Sequence, residues 1–367
     1  MSKVYYSLGL MSGTSGDGID VSIIKSDGKN QYEAILDKYF KYNLQIEENI
    51  HDLKNKIANM PKKLIEFSEE INSLEESITL FHAEAVNKVL KDIKENIDFL
   101  GFHGQTILHS PLNNMTKQLG NGNLLSKLTK KTVIYNFRQN DLKNVGQGAP
   151  LTPVFHKLLK NKYKLKLPLI ILNIGGIANV TRIDLEDQMY SQDIGPGNCL
   201  IDQWIRHNSE KKYDDQGNIA KSGKINKIIL NQALENFNQK NNFKSYDVKD
   251  FDLSFVRGLS LEDGAATLTE YTLEILHNHL KLFLDGQQKN ILISGGGRKN
   301  KLLVKSIEER INVPIKLVDD FGIDGDFVES QAFAYLAIRS FLKLPISFPE
   351  TTGCKEPCTG GVIVKKY

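Results

Sequence analysis

The sequence predicts an α/β protein of two domains, each built on a mixed β-sheet, with a cleft between them. Three observations lead to this fold class. The chain has 367 residues, enough for two separate cores. Each half opens on two apolar, β-forming runs joined by a glycine-rich turn, at 4–24 and at 167–183. Each half also carries an amphipathic helix, at 71–89 and at 265–284, with apolar residues at three- and four-residue steps.

The composition is typical of a globular protein and argues against several classes of partner. The 47 basic and 44 acidic residues give a net charge of +3, too near balance to indicate nucleic-acid binding. No run approaches the roughly 20 apolar residues of a transmembrane helix, and the N-terminus lacks a signal-peptide pattern. The three cysteines, an odd number, form neither a zinc set nor a redox motif. We therefore expect a cytoplasmic protein with reduced thiols and no membrane partner.

The first glycine-rich turn predicts a phosphate-binding hairpin tip. Small residues let the backbone approach a ligand, and free N–H groups and hydroxyls favour phosphate oxygens. A carboxylate beside a phosphate usually indicates a Mg²⁺ ion between them, which makes Asp17 the predicted magnesium ligand, through water. An ordinary hairpin turn is the alternative. The tip residues are Gly13, Thr14, Ser15, Gly16, Asp17 and Gly18.

Polar side chains follow two further strands predicted in the first half. One strand leads into His103 and Gln105, at the position where α/β sheets commonly place ligands, so both are candidates for binding a polyhydroxy substrate. A loop histidine satisfied by backbone is the alternative for His103. The other strand leads to Arg138, which either pairs with Asp141 or clamps an anionic group of the substrate.

The second hairpin has Gly175 and Gly176 at its tip and predicts another turn that offers backbone donors to a polyphosphate. Asp193 follows at the end of a strand, just before a Gly-Pro-Gly run that resists regular structure and favours close approach to a ligand. Asp193 is therefore the catalytic candidate. The alternative is a helix N-cap, a common role of aspartate.

Two segments near the end of the second half complete the candidates. Gly295, Gly296 and Gly297 stand between a strand and a helix, where a base or ribose can lie against the backbone. Glu329 lies in the first turn of a later helix, where it either caps that helix or points into the cleft.

The order of these segments resembles the superfamily of sugar kinases, Hsp70 and actin, in which two domains with duplicated cores embrace ATP. More closely, the chain resembles the anhydro-N-acetylmuramic acid kinase family, in collinear order from about residue 8 to residue 361. Any one motif is weak, but seven in register are specific. They are Met-Ser-Gly-Thr-Ser-x-Asp-Gly at 11–18, Gly-Gln-Thr at 104–106, Gln-Gly-Ala-Pro at 147–150, Asn-Ile-Gly-Gly-Ile-Ala-Asn at 173–179, Asp-x-Gly-Pro-Gly-Asn at 193–198, Gly-Gly-Gly at 295–297 and Glu-x-x-Ala-Phe-Ala at 329–334.

The resemblance implies ATP- and Mg²⁺-dependent conversion of 1,6-anhydro-N-acetylmuramic acid to N-acetylmuramic acid 6-phosphate in cell-wall recycling, by a homodimer. The stretch from Gly13 to Asp20, Ile19 included, matches the ATP-binding loop of the family, and Asp193 matches its catalytic base. Arg138 and Glu329 match positions that help to hold the sugar and the attacking water. Gly195 and Asn198, in the motif around the base, are expected at the substrate.

The resemblance also implies a first lobe at 1–137, completed by 340–367, and a second lobe at 138–339 with the adenine-side glycines. Three departures from the family pattern stand out: Gly16 replaces a larger apolar residue, Arg298 follows the glycine triplet, and residues 324–327 read Asp-Gly-Asp-Phe.

Two other functions stay open. One is a kinase of the same fold for another anhydrosugar, although Arg138 as a partner for the lactyl carboxylate favours the muramic acid. The other is a non-catalytic ATP-binding module, against which the intact motif at Asp193 argues.

Overall fold

The computed structural model describes residues 3–57, 60, 62–240, 245–284 and 290–366 and has an α/β fold with two mixed sheets. The strands are β1 (Tyr5–Ser12), β2 (Gly18–Ser26), β3 (Tyr32–Lys41), β4 (Phe99–Ser110), β5 (Met115–Leu119), β6 (Thr132–Tyr135), β7 (Leu169–Ile174), β8 (Ile177–Ile183), β9 (Met189–Pro196), β10 (Asn290–Ser294), β11 (Ile315–Leu317) and β12 (Val362–Val364). The helices are α1 (Leu44–Ile57), α2 (Lys63–Glu66), α3 (Ser68–Lys91), α4 (Gly122–Thr129), α5 (Gln139–Lys143), α6 (Pro153–Lys162), α7 (Cys199–Asn208), α8 (Asn218–Ser222), α9 (Lys227–Lys240), α10 (Leu261–Phe283), α11 (Lys301–Ile311), α12 (Val328–Phe341) and α13 (Pro349–Thr352). None of the described helices is long and apolar enough to cross a membrane.

The chain packs as two units, and the first consists of the residues up to Leu165 together with those from Phe327 onward. Its seven-stranded sheet has the order β12-β6-β4-β1-β2-β3, with β5 paired to β4. Strands β1, β4 and β6 are parallel, whereas β2 and β3 continue from β1 as an antiparallel meander. The first predicted hairpin is confirmed as β1 and β2, with Met11 opposite Asp20 beside the tip.

The second unit, Lys166–Asp326, has a five-stranded sheet in the order β11-β10-β7-β8-β9. Strands β7, β10 and β11 are parallel, and β8 and β9 form the antiparallel meander. In order and direction these five strands repeat β6-β4-β1-β2-β3 of the first unit. The two sheets therefore have the duplicated cores that the sequence predicts, and each begins with a hairpin whose tip carries glycines.

Helix α12 lies so close to the first sheet that two strand glycines have no room for a side chain. A Cβ at Gly9 of β1 would stand 1.9 Å from the Ser330 carbonyl oxygen, and one at Gly101 of β4 would stand 2.3 Å from that of Phe333. This packing places α12 in the first unit, where the sequence-based boundaries of 138 and 340 had assigned it to the second. Residues 138–165, with α5 and α6, also lie in the first unit.

Strands β3 and β5 have no counterpart among the predicted elements. β3 is an edge strand in which nine of the ten residues are at least partly exposed, and its apolar residues do not alternate regularly with polar ones, so it lacks the pattern that predicts a strand. The three cysteines are free and buried, as expected for reduced thiols, and burial raises the pKa of Cys199 and of Cys358 to about 12.

Two of the departures from the family pattern explain each other. The guanidinium of Arg298 is buried and donates to Asp319 (Nε–Oδ2 2.7 Å, Nη2–Oδ1 3.1 Å) and to Asp326 (Nη1–Oδ1 2.7 Å). A Cβ at Gly325 would stand 2.4 Å from Arg298 Nε, so the glycine makes room for the arginine. Burial raises the pKa of both aspartates, but the hydrogen bonds from Arg298 outweigh it and leave each pKa below its usual value.

Replacing Arg298 by methionine is expected to destabilise the second unit by about 2 kcal/mol, because it leaves two half-exposed carboxylates without their shared donor. Urea unfolding at neutral pH measures the loss. The matched control is Lys299→Met, which removes an exposed partner of Asp326 and should change the unfolding free energy little. Equal effects of the two substitutions would contradict the account of Arg298.

Candidate active site

The tip between β1 and β2 has its carbonyl oxygens bound by the protein itself. Gly13 O accepts from Gln105 Nε2 (3.0 Å), Thr14 O from Lys54 Nζ (2.9 Å), and Asp17 O from Tyr39 OH (3.1 Å). Within the described residues, the N–H groups of Thr14 and Ser15 donate to no protein acceptor. A turn whose carbonyl oxygens are bound by protein donors, and whose N–H groups can still donate to a ligand, suits an anion.

The side-chain amide of Gln105 holds this tip in place through hydrogen bonds. Its Oε1 accepts a hydrogen bond from Ser12 Oγ (2.6 Å) and its Nε2 donates to Gly13 O, while Ser12 Oγ also lies 3.1 Å from Tyr42 OH. The side chain of Gln105 is fully buried, so it does not take the sugar-facing place that the sequence analysis gives it. Both ends of its amide are occupied by the loop that it holds.

The other predicted tip residues divide into backbone and side-chain roles. Gly16 has φ +66°, and a Cβ there would stand 3.0 Å from Ile50 Cγ2, so the backbone at this position favours glycine. Ile19 is fully buried in the core, which leaves only its backbone for a ligand. The carboxylates of Asp17 and Asp20 are partly exposed beside the tip, and Asp17 Oδ1 accepts from Ser15 Oγ (2.6 Å). Such oxygen donors next to an anion site fit Mg²⁺.

His103 and Arg138 form one hydrogen-bonded pair. Arg138 donates to His103 Nε2 from Nε (3.2 Å) and Nη2 (2.9 Å), and its Nη1 donates to Gly148 O (2.7 Å). His103 Nδ1 lies 2.8 Å from the Gly104 carbonyl oxygen, so the tautomer that satisfies both contacts carries its proton on Nδ1. Burial first, and then the guanidinium, lower the pKa of His103 well below its usual value. His103 is therefore neutral and fixes the plane of Arg138.

Arg138 does not pair with Asp141, the alternative that the sequence left open. The Asp141 carboxylate instead accepts from Gly148 N (2.6 Å) and Thr352 Oγ1 (2.6 Å). Glu329, in the first turn of α12, lies near the guanidinium: burial raises the pKa of its carboxyl, and Arg138 acts in the opposite direction. The first unit thus gathers His103, Arg138 and Glu329 into one polar cluster.

The tip between β7 and β8 is held in the same way as the first. Gly175 O accepts from Asn198 N (2.8 Å), and Gly176 O accepts from Gly197 N (2.9 Å). A Cβ at Gly197 would stand 2.2 Å from Gly175 O, so the close approach requires glycine.

Asp193 lies within β9 next to this second tip, opposite Asn179 of β8. It is not a helix N-cap, because α7 begins at Cys199 with Asn198 before it. The buried Asp193 carboxylate accepts at Oδ2 from Tyr246 N (2.9 Å) and from Ser245 Oγ (3.1 Å). Sequence reasoning missed both donors, since they lie in a polar stretch with no motif and more than fifty residues away.

The remaining predicted residues of the second unit lie around the same sheet edge. Gly295 and Gly297 pack on the end of β7, where a Cβ would stand 2.4 Å from Asn173 Oδ1 and 2.3 Å from Ile174 Cγ2 respectively. Gly296 faces open space near Asn198. The glycines lead from β10 into a 3₁₀ turn, Gly296–Lys299, and the predicted helix follows from Lys301.

Gly195, the remaining predicted residue of this unit, has φ +149°, and a Cβ there would stand 2.5 Å from Ile275 Cγ2. The structure therefore brings together a carboxylate, a glycine tip and a glycine turn in the second unit. In the first unit it brings together Arg138 before α5, His103 of β4 and Glu329 of α12, and the glycine tip follows β1, the strand next to β4.

Comparisons with known proteins show the family of this chain. A family model described as anhydro-N-acetylmuramic acid kinase matches residues 5–366. A protein of that name from Pelagibacter ubique (strain HTCC1062) is 51% identical over 100% of both chains. Another of that name, from Zymomonas mobilis, is 37% identical over 97% of this chain and 99% of its own. Among solved structures, a ROK family glucokinase from Streptomyces griseus in complex with glucose and AMPPNP is 11% identical with a TM-score of 0.42, covering 90% of this chain and 99% of that one.

Proposed function

Because this chain belongs to the anhydro-N-acetylmuramic acid kinase family, we propose that it phosphorylates 1,6-anhydro-N-acetylmuramic acid with ATP while opening the 1,6-anhydro ring. The products are N-acetylmuramic acid 6-phosphate and ADP, in the recycling of peptidoglycan. The observation that carries this proposal is the family match over residues 5–366. Asp193, the residue that we propose as the catalytic base, is buried in that region.

Asp193 acts in this proposal as the general base. Water adds to the anomeric carbon of the sugar, Asp193 takes the water proton, and the departing O6 accepts the γ-phosphoryl group. The hydrogen bonds from Tyr246 N and Ser245 Oγ support this role, because they favour the carboxylate form and fix its orientation. No part of the reaction requires a covalent intermediate on the protein.

In this proposal the tip between β1 and β2 binds phosphate oxygens of ATP, and within the second unit the tip at Gly175 and Gly176 and the glycine turn at 295–297 also serve nucleotide binding. At the first tip the carbonyl oxygens are bound by the protein and the N–H groups of Thr14 and Ser15 remain for a ligand, which suits the spread negative charge of a transferring phosphoryl group. Mg²⁺ would neutralise part of that charge, and Asp17 and Asp20 are the residues that would hold it, through water.

Arg138 recognises the lactyl carboxylate of the sugar in this proposal. A guanidinium whose plane is fixed by a neutral His103 and by Gly148 O is set up to bind a carboxylate with two parallel hydrogen bonds. Glu329, close to the same guanidinium, holds the attacking water.

The direct test combines the purified protein, ATP, Mg²⁺ and 1,6-anhydro-N-acetylmuramic acid, with detection of the sugar 6-phosphate by mass spectrometry. In ¹⁸O-labelled water the label should enter the sugar at the anomeric carbon and not the phosphate. ATP hydrolysis without a phosphorylated sugar would contradict the proposal. Phosphorylation of only a different anhydrosugar would contradict the muramic acid as substrate and favour a kinase for that other sugar.

Arg138→Lys is expected to raise KM for the muramic acid substrate roughly 10- to 100-fold. The reason is that a lysine ammonium cannot donate two parallel, charge-assisted hydrogen bonds to the lactyl carboxylate. The measurement is steady-state kinetics with two substrates. The analogue without the lactyl group, 1,6-anhydro-N-acetylglucosamine, is the internal control, and its KM should stay unchanged. An equal rise in KM for both sugars would show that Arg138 does not recognise the lactyl carboxylate.

A homodimer in the cytoplasm is part of the same proposal and is supported by the family resemblance. Light scattering of the purified protein measures the oligomeric state.

A further inference from the structure

One polar cluster in the first unit has no part in the proposed reaction. It consists of Asp141 in α5 and of Cys354 and Cys358 in the C-terminal segment, and we refer to it as the thiol–carboxylate cluster. All three side chains are buried, and their ligand atoms lie within 4.8 Å of one another. The sequence gives no hint of it, because more than two hundred residues separate the aspartate from the cysteines.

The distances in this cluster suit tetrahedral coordination. Cys358 Sγ lies 3.8 Å from Asp141 Oδ1. Two ligands of a tetrahedral zinc ion, one sulfur at about 2.3 Å and one oxygen at about 2.1 Å from the metal, are about 3.6 Å apart. Two hydroxyls surround the ligand atoms: Ser347 Oγ lies 3.0 Å from Cys358 Sγ, and Thr352 Oγ1 donates to Asp141 Oδ1 (2.6 Å). Such outer contacts orient metal ligands.

The charge balance of the cluster also points to a cation. Asp141 is 1% exposed, and in the described parts of the chain no lysine or arginine forms an ion pair with it. Buried carboxylates are usually paired with a positive group or coordinate a metal. The loop after α5 wraps the carboxylate so tightly that a Cβ at Gly146 would stand 2.2 Å from Asp141 Oδ2.

We propose that the thiol–carboxylate cluster binds one borderline divalent ion such as Zn²⁺, with Asp141, Cys354 and Cys358 as ligands and a water in the fourth position. Thiolate ligands select such ions over Mg²⁺, so this site is distinct from the magnesium of the kinase reaction. On binding, both thiols give up their protons, and two protons are released for each ion bound.

An ion here would join three segments that meet near Arg138. Asp141 Oδ2 accepts from Gly148 N, and the carbonyl of the same Gly148 accepts from Arg138 Nη1. Gln147 N donates to Thr352 O (2.8 Å), which ties the same loop to the segment that carries both cysteines. The metal would therefore fasten the C-terminal segment to the loop that positions Arg138.

The test is titration of the reduced full-length protein with Co²⁺, which reports its own coordination by absorption. We expect thiolate-to-cobalt charge-transfer bands and visible bands of tetrahedral intensity, saturating at one ion per chain. Zn²⁺ should abolish them and excess Mg²⁺ should not. Cys358→Ser and Asp141→Asn should weaken or remove the bands, whereas Cys199→Ser, which changes the cysteine of the second unit, should leave them intact.

Absence of these bands in the folded wild-type protein would overturn the proposal, as would an unchanged spectrum in Cys358→Ser. If the cluster variants do not fold, the wild-type titration still decides, because the charge-transfer intensity counts the bound thiolates and two are required. Mass spectrometry of protein purified without reductant gives a second check. A Cys354–Cys358 disulfide that persists after treatment with reductant would also overturn the metal site.

Discussion

Asp193→Asn is expected to lower kcat by at least about 10³-fold while ATP still binds, because an amide cannot take a proton from water. The substitution keeps an oxygen that can accept from Tyr246 N and Ser245 Oγ, so the fold should be retained. The measurements are steady-state turnover with the muramic acid substrate and calorimetric titration with a non-hydrolysable ATP analogue.

The matched control for this prediction is Asp184→Asn in the turn between β8 and β9. Asp184 Oδ1 accepts only backbone N–H groups, from Glu186 and Gln188, and an asparagine can do the same. Turnover of the control should equal that of the wild type. If Asp193→Asn stayed within tenfold of wild-type turnover, Asp193 would not be the base.

Lowering the pH from about 7 to about 5 is expected to unfold the first unit before the second. The first unit contains four buried histidines, and burial lowers the pKa of His82 and His156 to about 4 and that of His109 to about 3. The pKa of His103 is lowered well below its usual value. In the described residues of the second unit, every histidine is at least partly exposed.

The sign of this effect follows from which state binds the proton. A histidine with a folded pKa below the unfolded value of about 6.5 is protonated mainly after unfolding, so its stabilisation is complete above that pH and falls below it. His82, His109 and His156 then each cost about 2 kcal/mol at about pH 5, and the lowered pKa of His103 acts in the same direction. The sum for these three groups, on the order of 6 kcal/mol, is comparable with the whole stability of a typical domain.

The single tryptophan makes this prediction measurable unit by unit. Trp204 is buried in the second unit, so its fluorescence follows that unit, while hydrogen exchange read by mass spectrometry follows peptides of both. His82→Leu should move the acid midpoint of the first unit to lower pH, and His207→Asn, at an exposed position, should not move it. A common midpoint for both units, unchanged in His82→Leu, would contradict the histidine mechanism.

The sequence predicts well what is encoded locally. Both hairpins were predicted from short β-forming runs around glycines, and the strand at Ile177–Ile183 has the predicted bounds. The collinear motifs led to the family that the comparisons show. The two hairpins, one opening each half, also predicted the duplicated mixed-sheet cores that the two units have.

What the sequence could not predict depends on contacts between distant residues. Nothing near Lys54 indicates that it holds Thr14 O, and nothing near Ser245 indicates Asp193. Gln105 was expected at the sugar because polar residues after a strand commonly bind ligands, yet its amide is buried under the tip. The sequence does not link Arg298 with its aspartate partners, because Asp319 and Asp326 lie more than twenty residues later in the chain.

The placement of α12 has a consequence for how the protein is made. In the first unit, helix α12 packs on β1 and β4, and the edge strand β12 pairs with β6. Both elements are synthesised last, after all the other strands of that sheet. Because domains generally fold as units during synthesis, the later unit, continuous in sequence, can complete its structure on the ribosome before the earlier one. Until translation passes residue 341, the nascent first unit exposes the apolar face that α12 will cover, and a chaperone that shields it should raise the yield.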